Sequence, residues 1–122
     1  MQYMLLIAGD ADLVAQAKAE DLQGLMSAFM AYTKAMREAG VWVAGSPLKP
    51  APTASTVRMK DGQTQVLDGP YAESREQLGG YILIEAPDRQ TALDWAARCP
   101  GVRYGPIEVR EIEVIPGVND GA

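Results

Sequence analysis

The run Asp68-Gly69-Pro70-Tyr71-Ala72-Glu73-Ser74-Arg75-Glu76-Gln77-Leu78-Gly79-Gly80-Tyr81 concentrates side chains that can do chemistry. Continued to Ala86, it holds four carboxylates, one arginine, two tyrosines and three glycines, and it passes directly into an apolar strand. The chain has no histidine, so the usual base at neutral pH is missing. Ser-His-Asp and Cys-His arrangements are excluded, as is a His-ligated haem or zinc. Acid–base chemistry must rest on a carboxylate, Tyr, Lys or Cys.

Asp68 has two readings. Asp-Gly-Pro is ordinary turn chemistry, and the carboxylate can cap local amides. Alternatively, a half-buried Asp68 is a base or a polar-ligand anchor, with burial raising its pKa and nearby amides lowering it. Tyr71 and Tyr81 flank the motif. They read either as core or interface phenols with a wet hydroxyl or as donors in the same cleft as Asp68. Glu73, Arg75 and Glu76 read as a solvated turn; alternatively, Arg75 pairs with Asp68 or clamps an anionic ligand. Gly79-Gly80 reads as a bend into the strand or as a floor where a ligand meets bare backbone. Arg58 shares a strand face with Lys60, as surface strands often show. The candidate ligand-binding set is Arg58, Asp68, Gly69, Pro70, Tyr71, Arg75, Gly79 and Gly80; Asp68, Tyr71 and Tyr81 are the hypothetical acid–base groups. Carboxylate spacing matches no EF-hand, and no Walker or dinucleotide glycine pattern occurs, so neither a metal nor a cofactor is expected. Cys99 falls at a helix C-terminus, where the dipole disfavours a thiolate, and reads as core.

These residues need a scaffold to place them. Gln2–Ala8 is apolar on both parities, the mark of a strand covered on both faces. A short helical turn is expected before Lys18. From Glu20 to Ala39 the period becomes helical, with Leu22, Leu25, Met26, Phe29, Thr33 and Met36 as one apolar stripe and Gly40 as the stop. Val41–Ala44 reads as a second strand. Residues 55–60 and 63–68 form a hairpin around Asp61-Gly62. That register pairs Val57 with Val66 and Ser55 with Asp68. It puts Val57, Met59, Val66 and Asp68 on one face, which predicts partial burial of Asp68. Gly80–Ala86 is again apolar on both sides. Asp88 is the N-cap of a second helix buried through Ala92, Leu93, Ala96 and Cys99, with Trp95 at its flank. A last strand runs from about Pro106 to Ile115, with a bulge near Arg110-Glu111.

The order β-α-β, hairpin, β-α-β predicts an α+β, ferredoxin-like sandwich with both helices on one face of an antiparallel sheet. Two helices cover only one side, yet two strands are apolar on both. A second copy of the sheet is the simplest cover, so a homodimer is expected. The chain's 122 residues suit one domain, set at 1–116 with a flexible tail at 117–122. Its net charge of −5 and scattered basic residues disfavour direct nucleic-acid binding. No apolar run is long enough to span a bilayer and no leader is seen at Met1, so no membrane association is expected. The single cysteine suits a reducing cytoplasm.

Asp68-Gly69-Pro70-Tyr71-Ala72-Glu73 followed by Glu76-Gln77-Leu78-Gly79-Gly80-Tyr81 resembles the signature of the DGPF-domain branch of YCII-related proteins. Tyr3-Met4-Leu5-Leu6-Ile7, Thr56-Val57-Arg58 and Trp95-Ala96-Ala97-Arg98-Cys99-Pro100 also match that family's pattern, so the resemblance covers nearly the whole chain. Tyr71 stands where the name-giving Phe is usual. The resemblance implies a dimeric α/β-barrel type of fold. It also implies a regulatory or sensory role beside an extracytoplasmic-function sigma factor. Shorter YCII relatives carry a His-Asp pair; here only the Asp68 half can exist. Three functions therefore stand: a dimeric module binding a small polar ligand in a cleft at Asp68, a cofactor-independent enzyme using Asp68 with Tyr71 or Tyr81, and a protein-interaction module.

Overall fold

The computed structural model describes residues 1–72, 74 and 76–121, and the side chains of these except Ala11 and Val14. In chain order the elements are β1 (Gln2–Asp10), α1 (Ala11–Gln16), α2 (Ala19–Glu38), β2 (Trp42–Pro47), β3 (Ser55–Lys60), β4 (Gln63–Asp68), β5 (Glu76–Glu85), α3 (Arg89–Arg98) and β6 (Ile107–Glu111). Four strands form one sheet in the order β2-β5-β1-β6, every neighbour antiparallel. This is the ferredoxin-like α+β arrangement expected from the element order.

Helix ends follow local chemistry. The Asp21 carboxylate accepts the Lys18 N–H at the start of α2 (3.1 Å). At its end Gly40 takes φ 74°, the Gly40 N–H reaches Arg37 O, and the Val41 N–H reaches Met36 O. Those paired bonds are a Schellman stop, which turns the chain into β2. Asp88 Oδ1 accepts both the N–H and the hydroxyl of Thr91, at 2.8 and 2.7 Å, and so caps α3.

The core lies between the sheet and the helices. It is built from Tyr3 and Leu5 of β1, Ile82 and Ile84 of β5, Tyr32 and Met36 of α2, and Ala92, Trp95, Ala96 and Cys99 on or just after α3. Trp95, expected at the flank, is buried; its ring meets Tyr32 at 6.1 Å and carries the Arg98 guanidinium 4.2 Å from its centroid. Leu93 is only half-buried. The stripe expected along α2 also shifts. Phe29, Tyr32 and Met36 pack inward, whereas Leu22 and Met26 stay exposed. A helix of 20 residues spans about 30 Å, and only its C-terminal half has core beneath it.

The register explains the strands that are apolar on both parities. Tyr3 and Leu5 face the helices. Met4 pairs with Leu83 and Leu6 with Tyr81 on the opposite face, where all four are only half-buried. Among the described residues no helix covers that face. The strand irregularities fall at Ile7/Ala8 against β5 and at Trp42/Ala44 against β5. The bulge expected at Arg110-Glu111 is absent: β6 pairs evenly from Ile107 to Glu111 and then stops, and the parity slip marks where the ladder ends. The following segment carries a turn. Asn119 Oδ1 accepts the Ile115 N–H, Asp120 Oδ1 accepts the Gly117 N–H, and Asn119 Nδ2 donates to Glu113 O.

Candidate functional site

The hairpin places the motif. Asp61 and Gly62 both take positive φ, 52° and 74°, the type I′ geometry whose twist matches the flanking strands. Val57 pairs with Val66 and Ser55 with Asp68, as the spacing predicts. Asp68 therefore shares a face with Val57, Met59 and Val66. The partial burial expected for it is not found. Val57, Met59 and Val66 are 65%, 71% and 67% exposed, and Asp68 is exposed with them. The physical reason is topological: β3 and β4 make a separate two-stranded sheet, and among the described residues no helix or strand packs over that face.

Asp68 is not a turn cap either. Among the described residues its carboxylate has no hydrogen bond or ion pair. Other groups hold the turn. Gly69 takes φ 98°, its N–H donates to Ala54 O (2.7 Å), and the Thr56 hydroxyl donates to Gly69 O (2.8 Å). Thr56 is a positioning residue that side-chain chemistry alone did not single out. Its place beside the hairpin entry was the available signal. Further on, Gln77 Nε2 donates to Ser74 O (2.7 Å) and Ala72 O (3.3 Å), tying down the loop that leads into β5.

The other candidates are dispersed in the single chain. Arg58 lies on the opposite face of the hairpin from Asp68, with its Nε donating to Gln65 Oε1 (3.2 Å). Pro70 is half-buried, and Tyr71 is 87% exposed. Tyr81 sits on the uncovered face of the main sheet, paired with Leu6 and Ser46. No hydrogen bond joins Asp68, Tyr71 and Tyr81. Arg75, read as part of a solvated turn or as a partner of Asp68 or an anion, lies outside the described residues, as does Glu73. Gly79 falls where β5 slips a residue against β1, so the bend is a β-bulge. A Cβ on Gly80 would stand 3.0 Å from Ser46 O and 3.3 Å from Pro47 Cα, so close approach of β2 accounts for that glycine.

Grooves cut the surface of the described residues, two of them beside the core and the sheet. One, of about 460 Å³, lies between α2 and the end of α3 and includes Tyr32, Arg98, Cys99 and Arg103. The other, of about 400 Å³, lies on the uncovered sheet face and includes Met4, Leu6, Arg110 and Asn119. Neither includes Asp68 or its motif neighbours. Apart from Asp88, the N-cap of α3, the groups with displaced pKa values belong to the core. Burial pushes the Tyr32 phenol far up, and its hydroxyl donates to Trp95 O at 2.6 Å. Burial, then the nearby Glu111 and Asp88 charges, push Tyr3 up. Its hydroxyl is a buried polar atom with no partner. Cys99 is raised by burial against an opposing amide of Gly101. Among the described residues no group of three or more His, Cys, Asp or Glu side chains is placed to hold a metal ion. No helix is long and apolar enough to cross a membrane.

An uncharacterized protein of Rhizobium meliloti (strain 1021) is 34% identical over 96 residues, which is 79% of this chain and 77% of that protein. A solved structure of 5-chloro-2-hydroxyhydroquinone dehydrochlorinase (TftG) from Burkholderia phenoliruptrix AC1100, in complex with 2,5-dihydroxybenzoquinone, is 11% identical. It covers 93% of this chain and 94% of that one at a TM-score of 0.48, too remote to speak to chemistry. The sequence model of the YCII-related domain matches residues 1–116.

Proposed function

The chain belongs to the YCII-related family, and we propose that it is a small dimeric domain that binds a small polar ligand beside Asp68. One observation carries the reading. Asp68 is exposed on the hairpin face that carries Val57, Met59 and Val66, and among the described residues its carboxylate meets no cap or ion-pair partner. A group of that kind is costly to cover unless a donor arrives with the cover. The matching ligand chemistry is a small ammonium, guanidinium or polyhydroxyl compound. The two copies meet through the uncovered sheet face, where Met4, Leu6, Tyr81 and Leu83 line up, and the cytoplasm is the setting. Binding is preferred to catalysis because Asp68, Tyr71 and Tyr81 share no hydrogen bond that would make an acid–base pair.

The test is titration of the protein with a panel of small amines, guanidines and polyols, followed by ¹⁵N chemical shifts. Asp68→Asn is expected to weaken a hit by about tenfold or more, the loss of one charge-assisted hydrogen bond. Its circular dichroism and thermal midpoint should stay those of the wild type. Equal binding by the variant, or a variant that does not fold, removes Asp68 from the reading.

A regulatory partner is favoured by a different observation. Leu22, Met26 and Met30 recur every fourth residue on α2 and stay 44%, 65% and 68% exposed. With the DGPF-type motif, this supports contact with an extracytoplasmic-function sigma factor. Failure of such a factor from the same cell to co-purify with the wild-type protein, under conditions where the protein is folded, counts against it.

A further inference from the structure

The hairpin β3–β4 is built as an arm, and among the described residues no helix or strand packs on its Val57–Met59–Val66 face. A lone two-stranded hairpin is marginal in water. Here one face is Ser55, Val57, Met59, Thr64, Val66 and Asp68, with both valines and Met59 at least 65% exposed. The strands are six residues long, so the arm reaches about 20 Å. Pro47, Pro50 and Pro52 stiffen the leg that enters it, and Pro70 follows the leg that leaves. The Leu48 N–H bonds to Gly79 O of β5, which pins the base beside β2 and β5. Those two strands also carry Ala44, Ser46, Tyr81 and Leu83 on the uncovered sheet face, so the arm departs from the margin of that face.

The exposed area of the chain as a whole is of the size a second copy would cover. The chain exposes 8650 Å², whereas a compact monomer of its 13.1 kDa exposes roughly 6,400 Å². The excess is roughly 2,300 Å², which is what one protomer contributes to a large, obligate homodimer interface. In a two-fold dimer an arm docks twice, each copy onto the other, so one hairpin contributes two contacts. We infer that the Val57–Met59–Val66 face of the hairpin docks on a second copy of this chain, and that Asp68 is enclosed only where that docking occurs. The inference rests on the homodimer reading proposed above and extends it: the ligand site is incomplete in one copy. Asp68 is the single charged residue on the arm's docking face, so dimer closure and ligand capture are one event at that carboxylate.

Sedimentation equilibrium on the wild type and on Val57→Glu/Val66→Glu tests the arm. The wild type is expected to be a dimer at micromolar concentration. The double variant is expected to dissociate about 100-fold or more readily, as when a central contact is lost from an interface. Since both valines are exposed in the single chain, its circular dichroism should be unchanged. A dimer as tight as the wild type overturns the arm and leaves the dimer standing; a monomeric wild type overturns both. Should the variant unfold, methionine oxidation by peroxide decides on the wild-type protein alone. Met59 is expected to lose reactivity at dimer-forming concentration, while Met26 and Met30, comparably exposed on α2, keep theirs. Met59 reacting as fast as Met26 and Met30 in the dimer overturns the inference.

Discussion

At the scale of single residues, the roles divide between the core and the motif. Tyr32 has a structural role. The Cys99 N–H turns back to Ala96 O, and the Trp95 carbonyl at the end of α3 is met instead by the Tyr32 hydroxyl. Tyr32→Phe is expected to cost about 1–3 kcal/mol in chemical denaturation, because a buried carbonyl loses its donor. Asp88 acts at the other end of the same helix. The Thr91 N–H, then the Thr91 hydroxyl, hold its carboxyl below the usual range. The folded state therefore takes up that proton less readily than the unfolded chain. The cap's contribution is present above the ordinary aspartate value and lost as pH falls through the lower folded one. Asp88→Ala should lower the thermal midpoint at neutral pH, and the gap to the wild type should close as the pH is taken below about 4. An unchanging gap would mean that the charge is irrelevant. Asp88 was readable from its place before an apolar helical run. The exposure of Asp68 was not, since it depends on what lies above the hairpin.

At the scale of elements, period was a good guide to type and a weaker one to burial. The hairpin register followed from Asp61-Gly62, because a two-residue loop leaves only one pairing and every side chain's face follows from it. Helix α2 shows the limit. Periodicity identifies an apolar stripe but not how much of it has sheet beneath it. Met36 is fully buried and Met26 is 65% exposed, although both sit on the expected stripe. Met36→Ala is expected to cost about 2–5 kcal/mol and Met26→Ala under about 0.5 kcal/mol, read as shifts in urea midpoint. Comparable losses at the two positions would mean that the N-terminal half of α2 is covered in solution. The misplaced bulge has a similar origin. A parity slip in sequence looks the same whether a strand buckles or ends, and only the partner strand tells them apart.

At the scale of the molecule, the proposed homodimer would cover the open sheet face and the exposed hairpin. If so, stability is shared between copies, and the thermal midpoint should rise with protein concentration across a dilution series. A midpoint independent of concentration would place all the stability in one chain. The amino-acid sequence alone determined the order of elements, the hairpin register, the helix caps, the exclusion of histidine chemistry and the family resemblance. All of these rest on neighbours a few residues apart or on which residue types are present. The three-dimensional fold decided which apolar faces are covered, that Trp95 belongs to the core, that Gly80 answers to the backbone of β2, that Asp68 and Arg58 lie on opposite faces of the hairpin, and that Tyr81 lies on the other sheet. Those outcomes depend on segments distant in the chain meeting in space, where burial is set by what packs across a face and not by the face itself.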